Sequence, residues 1–346
     1  MNRLVVGLMA SILGISGANP IHAQLPTFEL IGGKDHKADA KHPDGGGGVR
    51  ASCFSSSGSM IALAIATHKS DQYDLVLFSQ QPFRSIARLS GHRRKITGVA
   101  FLHNDERLIS LSEDGEIILW SLKTNQAKCK KTIPMGMGVP FAMTPDGSQI
   151  AVGDKAGNLV MLNTNDLKVT STIPVSREPV IPLGFDPTGS QIIHFTLTGK
   201  IRSTNIGTKR SELYVHEKLK NAACGHLSAD RFAIGFEEGA ILVFDIGNIR
   251  NPALVIPVDS PVNCAISPKN DWLAVSHLDS TIQYVLIGKQ TKFLSLRLES
   301  GPWPSSNLVF SPDGKSLLAS SHFDPFAMYW TNIPTTWPIR KTPWGK

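Results

Sequence analysis

Apolar and polar positions change places in short bursts along this chain, and the bursts return at a nearly even interval. Runs such as Ile150–Val152, Leu159–Leu162, Phe232–Ile234, Ile241–Phe244 and Leu317–Ala319 are bounded by Gly, Pro, Asp and Asn, the pattern of strands between tight turns. No apolar pattern of period 3.6 persists long enough to make a good helix. A turn recurs after the first strand of each unit: Phe54-Ser-Ser-Ser-Gly58, Phe101-Leu-His-Asn-Asp105, Met143-Thr-Pro-Asp-Gly147, Phe185-Asp-Pro-Thr-Gly189, Gly225-His-Leu-Ser-Ala229, Ile266-Ser-Pro-Lys-Asn270 and Phe310-Ser-Pro-Asp-Gly314. Their first positions lie 47, 42, 42, 40, 41 and 44 residues apart. Pro presets the first corner, Asp or Asn caps the turn, and Gly takes a positive φ.

Four strands of about 5 or 6 residues with their turns use roughly 40 residues, the length of one propeller blade. The spacing predicts an all-β, seven-bladed β-propeller of four-stranded antiparallel blades over residues 24–334. A second turn, as in Glu113-Asp114-Gly115 or Glu237-Glu238-Gly239, leads to the third strand, and a more variable fourth strand, such as Arg84 to Leu89, closes each blade. The last repeat, Asn307 to Asn332, holds only three strands. Thr27 to Ile31 is expected to supply the fourth, which hides an open edge and joins the chain ends without a covalent bond.

Composition adds an address and a sign. Arg3, the apolar run Leu4 to Gly14 and the site Ile21-His22-Ala23 read as a secretory signal peptide, residues 1–23, cleaved near Ala23. The run is shorter than the roughly 20 residues that cross a bilayer, so no membrane span is expected and the mature chain is placed in the periplasm or secreted. Formal net charge is +7 at pH 7, and loss of Arg3 changes it little. Export argues against nucleic acid as the partner of that charge and favours an acidic protein, an anionic headgroup or an acidic polysaccharide.

Candidate chemistry is sparse. There is no GxSxG elbow, HExxH, phosphate loop or EF-hand pattern, so neither a catalytic residue nor a cofactor is expected. Cys53, Cys129, Cys224 and Cys264 form no CxxC pair; they suit buried small hydrophobes, although Cys224 and Cys264 fall one register step apart in adjacent first strands, which leaves a disulfide open. His277 and His322 occupy equivalent positions in neighbouring repeats, with His36 and His42 in the long Gly-rich loop at 33–48. Neighbouring blades hold such positions too far apart for zinc, and these are expected to be ordinary loop histidines, with no metal site.

One repeat carries more. Leu89-Ser-Gly-His-Arg-Arg-Lys-Ile-Thr-Gly-Val-Ala-Phe101, followed by Leu108-Ile-Ser-Leu-Ser-Glu-Asp-Gly-Glu-Ile-Ile-Leu-Trp120, resembles a complete WD repeat of the WD40 family, here an exported, bacterial-type member. The resemblance implies a buried structural hydrogen-bond tetrad of His92, Ser110, Asp114 and Trp120. Elsewhere the signature thins: Asp324 and Trp330 keep the spacing, Glu238 and Phe244 stand at it in the fifth repeat, and the third and fourth have lost the aromatic. Apolar packing is expected to hold those six blades.

The loops before first strands and between second and third strands share one face. That face carries Arg93, Arg94, Lys95, Lys155, Arg177, Lys218, Lys220 and Trp303, and Arg and Trp are enriched among the residues that anchor interfaces. The tail 335–346 mixes Pro, Trp and basic residues. Together these predict a monomeric, non-enzymatic protein-interaction scaffold for an anionic, protein partner. Two alternatives stay open, a propeller enzyme or redox subunit with a channel-mouth active site and an acidic-glycan-binding propeller.

Overall fold

The structure is a computed structural model that describes residues 27–31, 48–67, 72–135, 140–216, 219–269, 271–287, 292–299, 307–321 and 327–331. The expected signal segment 1–23, the loop residues 33–47, Lys218, Trp303, His36, His42, His322, Asp324 and the tail 335–346 lie outside the described residues.

Among the described residues the strands assemble into seven four-stranded antiparallel sheets. Six are blades whose four strands are consecutive in the chain: Val49 to His92, Ile96 to Thr132, Ala142 to Pro174, Ile181 to Tyr214, Ala222 to Pro257 and Pro261 to Glu299. The other sheet is composite. Asn307–Phe310, Leu317–Ser320 and Ala327–Thr331 supply three strands, and Thr27–Ile31 lies along the third with Phe28 opposite Trp330 and Leu30 opposite Met328. The expected seven-bladed ring is corrected accordingly: six complete blades, not seven, are each made by one repeat. The last repeat ends one strand short, and an unpaired row of backbone donors and acceptors is costly unless another segment covers it.

Each sheet is apolar on both sides because it is packed between two others, which is why its middle strands read as continuous apolar runs rather than as an alternation. Along Glu116–Ser121, Ile118 and Trp120 face the first blade while Ile117 and Leu119 face the third. Seven such clusters fill the contacts between neighbouring sheets. The ring also closes directly between its ends. Val49 N donates to Ser321 O at 2.9 Å and Asn307 Nδ2 to Ser52 Oγ at 2.6 Å, while the rings of Phe54 and Tyr329 lie 6.0 Å apart.

The recurring turns do more than reverse the chain. Gly58, Gly147, Gly189 and Gly314 each adopt φ near +70°, and Asp105 holds the same corner at 54° in the second repeat. Each turn then meets the next around the ring: Pro312 lies against Gly58, His103 against Gly147, Pro145 against Gly189 and Pro268 against Gly314. Asp105 joins its own turn to the first, accepting from Ser56 N at 2.8 Å and Ser57 N at 3.0 Å. The fifth repeat departs from the expected position. Its first strand runs on through Gly225 to Ser228, and the reversal is at Ala229 and Asp230, with Leu227 opposite Phe232.

Candidate functional site

The strongest repeat is built around a buried polar chain. Trp120 Nε1 donates to Ser110 Oγ at 2.8 Å, and Ser110 Oγ stands 2.6 Å from His92 Nε2. Burial pulls His92 down to about 4, with repulsion from Lys130 adding to it, so the imidazole is neutral at pH 7. His92 Nδ1 stands 3.2 Å from Glu116 Oε2, out of line for a full hydrogen bond. Gly91 precedes His92 for a steric reason: a β-carbon there would stand 3.0 Å from the indole. Asp114 is not in this chain. It caps its own turn, accepting from Ser112 Oγ at 2.5 Å and Glu116 N at 3.3 Å, and Glu116 takes the place beside the histidine that the resemblance gave to Asp114. Glu116 is also 3.6 Å from Lys130 Nζ, which donates to Gly91 O.

Residues 83–121 match the family model of the WD domain, G-beta repeat (WD40). The matched stretch contains His92, Ser110 and Trp120. Curated relatives carry the likeness further along the chain. Telomerase protein component 1 of Mus musculus is 22% identical over 65% of this chain and 9% of its own length. Cilia- and flagella-associated protein 52 of Homo sapiens is 28% identical over 47% of this chain and 28% of its own. Periodic tryptophan protein 2 of Saccharomyces cerevisiae is 23% identical over 51% of this chain and 17% of its own. The chain thus spans less than a third of the length of these relatives. They are eukaryotic, which gives no support to the expected bacterial-type exported member.

A second polar network takes the place of this chain of bonds in the fourth blade, where only apolar packing was expected. Strand register makes His194 and Thr204 the counterparts of Ser110 and Trp120, since Leu108 lies opposite Trp120 and Ile192 opposite Thr204. His194 Nε2 and Thr204 Oγ1 are 2.8 Å apart, and Thr204 is 2.7 Å from Ser211 Oγ. His194 is fully buried, and burial followed by the charge of Arg202 pulls it down to about 3. No sequence signal marked this pair, because the family pattern has neither residue type at these places.

On the loop face, Arg93, Arg94, Lys155, Arg177 and Lys220 are exposed and Lys95 is half-buried. None of the six makes a salt bridge among the described residues. Three carboxylates near them are already engaged. Glu178 pairs with Lys200 and accepts from Thr198 at 2.6 Å, Glu116 serves His92 and Lys130, and Glu238 accepts from the backbone N–H groups of Lys220 and Asn221 at 3.1 and 3.2 Å.

The same face has an acidic side that the sequence did not single out. A cavity of about 700 Å³ between the fifth and sixth blades is lined by Glu238, Asp259, Ser260, His277, Leu278 and Asp279, among others. His277 is buried, and its Nδ1 donates to Asp259 O at 2.6 Å. This lining offers acceptors and suits a cationic or hydrogen-bond-donating group, not an anion. Among the described residues no group of three His, Cys, Asp or Glu is placed to hold a metal ion, and no helix is long and apolar enough to cross a membrane.

Proposed function

We propose that this propeller is a non-enzymatic scaffold, acting as a monomer, that holds an anionic protein partner on its loop face. One observation supports the reading: Arg93, Arg94, Lys155, Arg177 and Lys220 are exposed and make no salt bridge among the described residues, while Glu116, Glu178 and Glu238 are engaged within the blades. A rigid ring that displays unneutralised guanidinium and ammonium groups attracts an acidic surface, and rim charges set the association rate and its salt dependence. WD40 likeness agrees with a protein-binding role. Lys218 and Trp303, expected on that face from the sequence, lie outside the described residues.

A fluorescent glutamate-rich peptide tests it. Replacing Arg93, Arg94 and Lys95 by Ala is expected to weaken binding about tenfold and flatten its salt dependence. Replacing three cations away from that face, Arg84, Lys123 and Lys128, is expected to leave affinity within about twofold. Equal losses in the two triple variants would overturn the assignment.

The address belongs to the same proposal. Arg3, the run Leu4 to Gly14 and Ala23 support export to a periplasm or the cell exterior. An intact mass beginning near Gln24 is the expected result for protein recovered from expressing cells; retention of residues 1–23 would contradict it.

A further inference from the structure

The fifth and sixth blades meet through a pair of thiols. Cys224 lies on the inner strand Ala222–Ser228 and Cys264 on the inner strand Pro261–Ile266. Both are buried, at 6% and 1% exposure, in one apolar cluster with Val258, Ile266 and Val275. Cys224 points its sulfur across the sheet over Gly235, where a β-carbon would stand only 2.6 Å from it and 3.5 Å from Pro261 of the next blade. The missing side chain at 235 thus makes the room through which the sulfur reaches the neighbouring strand. There Cys264, on the strand that begins at Pro261, shares one buried cluster with Cys224. Cys53 and Cys129 belong to other clusters, so neither competes for this contact.

We propose that Cys224 and Cys264 form a disulfide that joins the inner strands of the fifth and sixth blades. The sulfurs are free thiols here, and the bond needs an oxidant, a small or protein disulfide. One thiolate attacks the donor disulfide and expels a thiolate; the second attacks the mixed disulfide and expels the other. Two thiols lose two protons and two electrons, and the donor becomes two thiols. Contact with Cys224, and burial after it, hold the Cys264 thiol well above its ordinary value, which keeps the nucleophilic thiolate scarce in the closed ring. The bond therefore forms while the interface is still open, during folding.

The test is refolding of the full chain from denaturant with oxidised glutathione, followed by unfolding in alkylating agent without reduction and peptide mass spectrometry. A linked Cys224–Cys264 peptide, two hydrogens lighter than the separate thiols, is expected, with Cys53 and Cys129 alkylated. Closing a loop of about 40 residues should raise the melting temperature by roughly 8 °C over protein refolded in reductant, and Cys264→Ser should show no such difference. Alkylation of all four cysteines, a glutathione adduct in place of the link, or a bridge through Cys53 or Cys129 would overturn the proposal.

Discussion

Acidification from pH 7.5 to pH 5 is expected to lower the melting temperature by roughly 10 °C, before the carboxylates begin to protonate. His92 and His194 are buried and neutral, drawn down to about 4 and about 3. The unfolded chain titrates them near 6.5. Between these values the unfolded state binds protons that the folded state refuses, so stability is fully present above about pH 6.5 and falls as pH drops toward the folded values. At pH 5 the two sites together cost about 4 kcal/mol. His226 adds the same sign: its Nδ1 accepts from Ile266 N at 3.2 Å, and burial draws it down to about 4. The best-held carboxylate, Asp146, is lowered to about 2 by Thr144 and Ser148, so its contribution is lost only below this window. Thermal melts at half-unit pH steps check the slope, and a melting temperature that stays flat from pH 7 to pH 5 would contradict neutral burial of these rings.

Trp120→Ala should destabilise the ring by about 4 kcal/mol, the upper range for loss of a buried aromatic. Its indole is 1% exposed and fills the contact between the first and second blades beside Leu89, Leu108 and Ile118. Trp120→Phe keeps most of that volume but deletes the donor to Ser110, and about 1 to 2 kcal/mol is expected. Denaturant titration with unchanged m-values separates the two. A Phe variant as costly as the Ala variant would show that the hydrogen bond, not the packing, dominates this position.

Much of the architecture was legible because turn chemistry is local. Pro145, Asp146 and Gly147 announce their corner within five residues, and the short apolar runs after it have no helical period. Thr27–Ile31 could be placed because the last repeat lacks a strand, and its pairing with Ala327–Thr331 makes that sheet composite, leaving six complete blades. Less legible was anything that depends on which atoms meet. Asp114 and Glu116 lie at much the same distance from His92 along the chain, and only the turn geometry gives the first to Ser112 and the second to the imidazole. Gly225 looked like a turn residue by composition, yet it lies within a strand. His194 and Thr204 carry no recognisable spacing, and their exchange for Ser110 and Trp120 appears only from register. The interlocking of Pro and Gly between successive turns is likewise a contact between residues some 40 positions apart in a repeat of that length.

The proposed binding face is open to direct measurement. Hydrogen–deuterium exchange of the full chain, with and without the glutamate-rich peptide, reports it in one measurement. Protection is expected at residues 93–95, 154–157, 176–178 and 219–221, on the basic side of the loop face. Protection at the opposite turns, 55–58, 103–105, 145–147 and 187–189, or confined to 257–260 and 277–279 around the acidic cavity, would contradict it.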